Sequence, residues 1–365
     1  MRVLIDIVHP AHVLFFLNPI RILQERGDEI LILSRHKDVA CALLDAHRLD
    51  HTPVSTALKG LPGLALELAW RDLAVARHAL RFRPDVMVGF GGVAVSHVGA
   101  LLRIPSVSFY DTETATLQNR ITWPFIGHLY VPQSYSGPVP EGRTTRFAGG
   151  KELCFLHPDN FSPDRETALA SGLDPDRPNY LIRTVKWNAN HDRGKTGWRE
   201  ADLVALCDLL AARGRVHISS ERDLPARFEA YRYRAKPDAM HHLMAFCDLY
   251  VGESASMGHE SAFVGTPAIY DGADHPATTR ELARCGLLTA LSQQGWGPLR
   301  DAVERALSTP RTVHGERLAA YLNGKPNLAS YVVEALDWTS RGRIPAFASR
   351  WHRTSLRMPE PHDQS

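Results

Sequence analysis

The sequence predicts an α/β protein of two parallel-sheet domains facing each other across a central cleft. Three observations carry this expectation. Short apolar runs alternate with amphipathic stretches from the first residues onward, which is the pattern of a parallel sheet with helices on both faces. The alternation loosens between about Pro132 and Pro178, where prolines and glycines cluster, and then restarts. The loops that follow the strands carry glycines, hydroxyls, histidines and acids, and ligands of such folds bind at the carboxyl ends of strands.

Taken in order, Val3–Val8 is an apolar run and reads as a buried strand. Val13–Arg26 reads as a helix that stops at Gly27, where a left-handed cap is easiest. Ile30–Ser34 is the next strand and Val39–His47 the next helix. Leu64–Phe82 is a long helix ending before Pro84. Strand Asp85–Gly89, helix Val93–Leu102 and strand Ser106–Tyr110 follow. After the loosened stretch come strand Tyr180–Arg183, helix Trp198–Ala212 and strand Val216–Ser219. Leu249–Val251 and Ala268–Tyr270 are strands around a short helix that carries Glu260. The remainder reads as a helix near Thr279–Arg284, a strand near Leu287–Ala290, and helices Pro298–Leu307, Val313–Leu322 and Leu328–Asp337. The last can cross back to the first domain. The tail after Trp338 is rich in Arg, then in Pro and acid, and has little independent fold.

Composition excludes several classes. Of 365 residues, 44% are hydrophobic and 22% charged, a globular balance. A formal net charge of +2 gives no case for nucleic-acid binding. Cys41, Cys154, Cys207, Cys247 and Cys285 are scattered without a CxxC pair, so they read as reduced cytosolic thiols. The start, Met-Arg-Val-Leu-Ile-Asp-Ile, reads as a first strand rather than a signal peptide. No stretch reaches the ~18 uncharged apolar residues of a membrane span. Lys59–Arg71, with Arg77, Arg81 and Arg83, mixes apolar, aromatic and basic residues. It can touch an anionic membrane surface, or be an amphipathic helix packed on the sheet.

Five loops hold candidate chemistry. In the first, His9 and His12 sit where strand one meets helix one. Either can act as a base near neutral pH. The alternative has one capping the helix and the other bonded to Asp6, and a metal would need more ligands than this loop offers. The second is Gly89-Phe-Gly91-Gly92. Its glycines allow close ligand approach or a purely structural turn, and it fits neither a dinucleotide fingerprint nor a phosphate loop. The third holds Asp111 and Glu113, an acceptor contact or a base, with helix capping by Asp111 or Thr112 as the alternative. In the fourth, Arg183 suits a diphosphate, Trp187 offers a stacking face, and His191 with Asp192 can form an oriented base; Asn188 lies between them. The fifth is Gly252-Glu-Ser254-Ala-Ser256 before a helix, where hydroxyls and unpaired helix N–H groups can hold a phosphate. Glu260 can then take a sugar hydroxyl pair, and Asp271 can reach a hydroxyl or form a turn with Gly272. Simple capping by Ser254 or Ser256, with Glu260 solvated, is the alternative. The fifth loop points to a nucleotide-sugar site.

The stretches Asp6-Ile-Val-His-Pro-Ala-His-Val, Gly89-Phe-Gly-Gly, Arg183-Thr-Val-Lys-Trp-Asn-Ala-Asn-His-Asp and Gly252-Glu-Ser-Ala-Ser-Met-Gly-His-Glu resemble a prokaryotic GT-B-like family of unknown function. The resemblance runs from Met1 to about Trp338. More distantly, the chain is similar to the lipid II N-acetylglucosaminyltransferase and to the non-hydrolysing UDP-N-acetylglucosamine 2-epimerases. It implies two Rossmann-like domains. Residues 1–150 would form the acceptor domain, 151–178 a linker region, 179–326 the nucleotide-sugar domain, 327–338 a return helix and 339–365 a tail.

The same resemblance assigns Glu260 to the donor ribose, Ser254–Met257 to the donor phosphates and Gly91-Gly92 to the acceptor. Two departures matter. His-Pro-Ala-His replaces several glycines of the first loop, and the donor loop lacks the transferase's glycine-rich wording. The expectation is a metal-independent, cofactor-free glycosyltransferase acting in polysaccharide biosynthesis on a nucleotide sugar of UDP type. Arg183, Asn188, Ser254, Ser256, Met257, Glu260 and Asp271 would hold the donor. Gly91, Gly92 and Asp111 would hold a glycan or lipid-linked acceptor, with His9, His12, Glu113 and His191 for proton transfer. The location expected is cytoplasmic, with peripheral contact to the inner membrane face. The alternatives are an epimerase on the same fold and a non-catalytic nucleotide-sugar binding protein.

Overall fold

The structure is a computed structural model that describes residues 1–36, 39–56, 58, 60–185, 197–221 and 223–342. Its first sheet has strands β1 (Arg2–Ile7), β2 (Glu29–His36), β3 (Thr52–Thr56), β4 (Val86–Phe90), β5 (Ser106–Phe109), β6 (His128–Pro132) and β7 (Thr144–Phe147). All pair in parallel, in the order β3-β2-β1-β4-β5-β6-β7. Helices α1 (Pro10–Glu25), α2 (Ala40–Ala46), α3 (Gly60–Phe82), α4 (Val93–Leu102) and α5 (Thr116–Thr122) connect them.

The period-2 alternation of β1 sorts its side chains to two cores. Val3, Ile5 and Ile7 pack with Phe15, Phe16 and Ile20 of α1. Leu4 faces the other way, against Val75 and Ala79 of α3 and Val95 of α4. Asp6 shares the Leu4 side. A carboxylate buried there needs a partner, and Arg71 of α3 supplies it.

Short helices α6 (Leu153–Leu156) and α7 (Arg165–Ala170) lie in the stretch where the sequence pattern loosened. The second sheet follows, with β8 (Asn179–Thr184), β9 (Arg215–Ser220), β10 (Leu249–Gly252), β11 (Ala268–Asp271) and β12 (Leu288–Leu291). It is parallel in the order β12-β11-β10-β8-β9. Its helices are α8 (Glu200–Ala211), α9 (Met240–Phe246), α10 (Ala255–Phe263), α11 (Ala277–Arg284), α12 (Trp296–Ser308) and α13 (Arg311–Leu322). On β10, Leu249 and Val251 join the core under α8 and α12, while Tyr250 faces the opposite core.

Helix α14 (Leu328–Ser340) returns to the first domain. Arg26 at the end of α1 holds Asp337 through two hydrogen bonds of 2.5 and 2.8 Å. Tyr331 meets the edge of Tyr130 at 6.0 Å. Leu328, Val332 and Leu336 are buried, each contributing about 1.5–3 kcal/mol. That sum rivals the net stability of an ordinary domain, so the return helix is part of the first domain's core.

Candidate functional site

In each sheet the strand order reverses at one place, and there a crevice opens beyond the carboxyl ends. In the first sheet this is between β1 and β4, in the second between β8 and β10.

The second crevice is built around α10. Ser254 caps this helix, its hydroxyl accepting from Met257 N at 3.4 Å. Such a cap stabilises a helix by about 1 kcal/mol. Ala255, Ser256 and Met257 form the first turn, so the amides of Ala255 and Ser256 stand at the open helix end. Glu260 lies further along the helix, mostly buried, 3.2 Å from His241 Nε2. Arg183 comes from the end of β8. Its guanidinium donates to Ser219 Oγ at 2.8 Å and pairs with Glu221. Its Nε is buried without a partner among the described residues. Arg183, in register with Gly252, lies on the same sheet edge as the start of α10, which carries Ser254, Ser256 and, further along, Glu260. Met257 packs partly into the core beside them.

The first crevice is built on Gly91 and Gly92, both at positive φ (74° and 34°). Only glycine takes these angles without strain. A Cβ on Gly91 would also strike Gln118 Nε2 and crowd the Tyr110 ring at 3.3 Å. His9 caps α1, its Nδ1 accepting from Ala11 N at 3.2 Å. His12 Nδ1 accepts from Val8 N at 3.4 Å, and its ring lies 5.2 Å from that of Phe90.

These bonds correct the expected proton chemistry. A neutral imidazole whose Nδ1 accepts carries its proton on Nε2. In this arrangement His12 presents a donor rather than a base. Asp6 is paired through Oδ1 with Arg71. The two rings stand 5.7 Å apart. No group of three or more metal-type ligands forms among the described residues.

Two acids are also corrected. Asp271 is 2% exposed. Its oxygens accept from Trp198 Nε1 at 2.8 Å and Gln293 N at 2.6 Å, so it fastens loops instead of facing a sugar. Glu113 accepts from Ser136 N and Oγ at 2.6 and 2.5 Å. It also accepts from Ala277 N at the start of α11, at 3.2 Å, with Arg280 at 3.7 Å. Its Oε1 is held within the first domain and its Oε2 by the second, so neither oxygen is left free.

Asp111 stays in the cleft. Its Oδ2 accepts from Lys151 Nζ at 2.6 Å and its Oδ1 from the Thr112 hydroxyl at 3.3 Å. Asn188 and His191 lie outside the described residues.

Sequence reasoning missed three residues. Lys151 follows Gly149-Gly150 at the domain junction and lies 5.6 Å from the Phe90 ring centroid. Burial works to lower its pKa. Asp111, Glu152 and Glu260 outweigh that and raise it, so the ammonium stays charged. It thus lies between Asp111 of the first domain and Glu260 of the second. Glu253 is the second, 1% exposed. It accepts from Val185 N at 3.2 Å and Trp198 N at 2.6 Å, on either side of segment 186–196. His241 is the third. A lone Gly-Gly-Lys at a boundary was the available signal for the first, and the Met-His-His run for the last.

One more chain of groups crosses the junction. Glu152 meets His259 Nδ1 at 3.2 Å, and His259 Nε2 meets Thr279 Oγ1 at 2.8 Å. Burial pushes the Glu152 pKa up, but the His259 hydrogen bond and Lys151 bring it below its ordinary value.

Separately, α3 has two faces. Glu67, Arg71, Val75 and Ala79 are buried, confirming an amphipathic helix packed on the sheet. Its outer side exposes Leu66, Trp70, Leu73 and Leu80, beside exposed Arg77 and Arg81. Among the described residues no helix is long and apolar enough to cross a membrane.

Two Rossmann-like domains, each with a switch-point crevice and facing across one cleft, define a GT-B-like protein. Comparison with known proteins agrees. A family model described as "Protein of unknown function (DUF354)" matches residues 1–138. The chain is 20% identical over 285 residues to an uncharacterized protein of Methanocaldococcus jannaschii, covering 74% of this chain and 81% of that one. It is 28% identical over 165 residues to a UDP-N-acetylglucosamine–N-acetylmuramyl-(pentapeptide) pyrophosphoryl-undecaprenol N-acetylglucosamine transferase of Bifidobacterium longum, covering 42% of this chain and 41% of that one. Among solved structures it resembles the UDP-GlcNAc 2-epimerase of Neisseria meningitidis bound to UDP-GlcNAc, with a TM-score of 0.66 at 12% identity over 92% of this chain and 99% of that one. At that identity the likeness establishes the fold.

Proposed function

We propose that the chain is a glycosyltransferase that moves a sugar from a nucleotide-sugar donor, of UDP type, to an acceptor hydroxyl in glycan or polysaccharide biosynthesis. One observation carries the reading: Arg183 lies in register with Gly252, which leads into the α10 N-terminus, and Glu260 of that helix lies near Lys151, which holds Asp111. The donor diphosphate lies at the open end of α10, where the helix dipole and Arg183 stabilise the charge that builds on it as the sugar leaves. Glu260 takes the ribose hydroxyls. Asp111 is held by Lys151 at Oδ2, and its Oδ1, which keeps only the long 3.3 Å contact with the Thr112 hydroxyl, is placed to accept the proton of the attacking hydroxyl. These groups perform transfer without a metal or other cofactor.

The Bifidobacterium relative acts on a lipid-linked acceptor, and the apolar, arginine-flanked outer face of α3 suits peripheral contact with an anionic membrane. Both support a lipid-linked or glycan acceptor met at the inner membrane face of the cytoplasm.

Calorimetric titration with UDP and other nucleoside diphosphates tests the donor half. UDP should bind, and Arg183→Ala and Glu260→Ala should each weaken it at least tenfold, about the value of a charge-assisted hydrogen bond. Absence of binding by every nucleotide would sink the reading.

A second reading, a sugar-nucleotide epimerase, would draw its acid and base groups from Asp111 and Glu260 beside Lys151. Interconversion of two UDP-sugars without an acceptor decides for it, and acceptor-dependent release of UDP decides for transfer. Nucleotide-sugar binding with neither turnover leaves a binding protein.

A further inference from the structure

A cavity of about 490 Å³ opens beside the Gly91–Gly92 turn, at the carboxyl ends of β1 and β4. Its walls are apolar: Leu64 and Leu68 from α3, Val93 from α4, Leu117 and Ile121 from α5, and the Phe90 ring. This volume is in the range of small-molecule sites.

The floor holds four charges, and they cancel in pairs. Arg71 pairs with Asp6. Arg35 reaches both oxygens of Glu67, at 2.6 and 2.5 Å. The Arg71 side chain is 5% exposed. It also donates to Ser55 Oγ at 2.7 Å and Ser34 O at 3.3 Å. A neutral floor under apolar walls penalises a charged occupant, because its charge would lie buried without a counter-charge.

The cavity rim is also the rim of the cleft. Phe90 lines the cavity and lies 5.6 Å from Lys151, which holds Asp111. A ligand seated by its apolar part would therefore place a hydroxyl near the carboxylate assigned to proton transfer.

We propose that this cavity receives the apolar body of the acceptor: an uncharged alkyl or aryl group. This rests on the first domain being the acceptor half of a transferase. The outer face of α3 would approach the membrane, whereas this inner pocket selects the molecule taken from it.

The test uses n-octyl β-D-glucoside below its micelle concentration, with methyl β-D-glucoside as the chain-free comparison, titrated calorimetrically into the full chain. The octyl compound should bind at least tenfold more tightly than the methyl one. Leu68→Trp, which fills the cavity, should weaken octyl binding about tenfold and leave UDP binding unchanged. Leu117→Ser, at the exposed rim where folding is not at stake, should weaken it by a smaller factor. Trp70→Ser, on the outer face of α3, should leave it unchanged. Equal octyl and methyl binding, full octyl binding by Leu68→Trp, or its loss in Trp70→Ser overturns the proposal. UDP binding without octyl binding rejects the cavity but keeps the donor site. Octyl binding without nucleotide binding rejects the donor reading instead.

Discussion

At the scale of single residues, burial separates acids that look alike in the sequence. Asp111, Glu113, Glu260 and Asp271 all stand in or just after loops that follow strands. Asp271 is spent on an indole and a backbone amide, and Glu113 on a helix start and a serine. Asp111 and Glu260 stay beside Lys151 in the cleft. No periodicity could have revealed this, because Trp198 lies 73 residues from Asp271 and Ala277 lies 164 from Glu113. The difference is measurable. Asp271→Asn keeps the shape but turns one acceptor oxygen into a donor that faces another donor. It should cost about 1–3 kcal/mol of stability, seen as a lower Tm, with the affinity of the remaining folded protein for UDP unchanged. An unchanged Tm would contradict the structural role given to Asp271.

At the scale of elements, most strands and helices could be read directly. Apolar runs such as Val3–Ile7 and Val86–Val88 announce central strands because both their faces are covered. What escaped were β6, whose buried run His128–Pro132 lies just before the loosened stretch, and the two edges of the first sheet. Strand β3, Thr-Pro-Val-Ser-Thr, is polar and half-buried and holds a proline, and β7, Thr-Thr-Arg-Phe, buries only Phe147. Both are outermost strands, where one side needs no partner and the apolar signal fades. Helix α9 escaped for a different reason: at seven residues it is too short to show a period. Helix α3 was legible as amphipathic, but its second apolar face was not separable from the first. That outer face gives a direct expectation. The protein should co-sediment with phosphatidylglycerol vesicles and less with neutral ones, and Trp70→Ser together with Leu73→Ser should reduce the bound fraction severalfold, since each buried apolar side chain contributes about 1.5–3 kcal/mol. Equal partitioning of the double variant would remove the membrane role of this face.

At the scale of the whole molecule, each sheet carries a buried histidine that prefers to be neutral. Burial, and then Arg143, pushes His128 down to about 4. Burial, and then Arg215, does the same to His217, also about 4. Both folded values lie below the ordinary 6.5. The stability they contribute is therefore complete above pH 6.5 and is lost as the pH falls from 6.5 toward 4. Melting curves should show Tm falling through this window, and His128→Gln with His217→Gln should flatten the slope. A slope that survives both changes would assign the acid sensitivity elsewhere. The depressed Glu152 carboxylate contributes above its ordinary 4.5, and that contribution is lost at still lower pH.

The return of α14 to the first domain has a mechanical consequence. The backbone crosses between the halves at two places, near Gly149–Gly150 and between α13 and α14. One crossing would act as a ball joint, whereas two define an axle. The remaining freedom is a swing about the line through both crossings. Lys151 sits against that axle, so any swing about it would change its spacing to Asp111 little and would act mainly on groups farther away, such as Glu113 against Ala277.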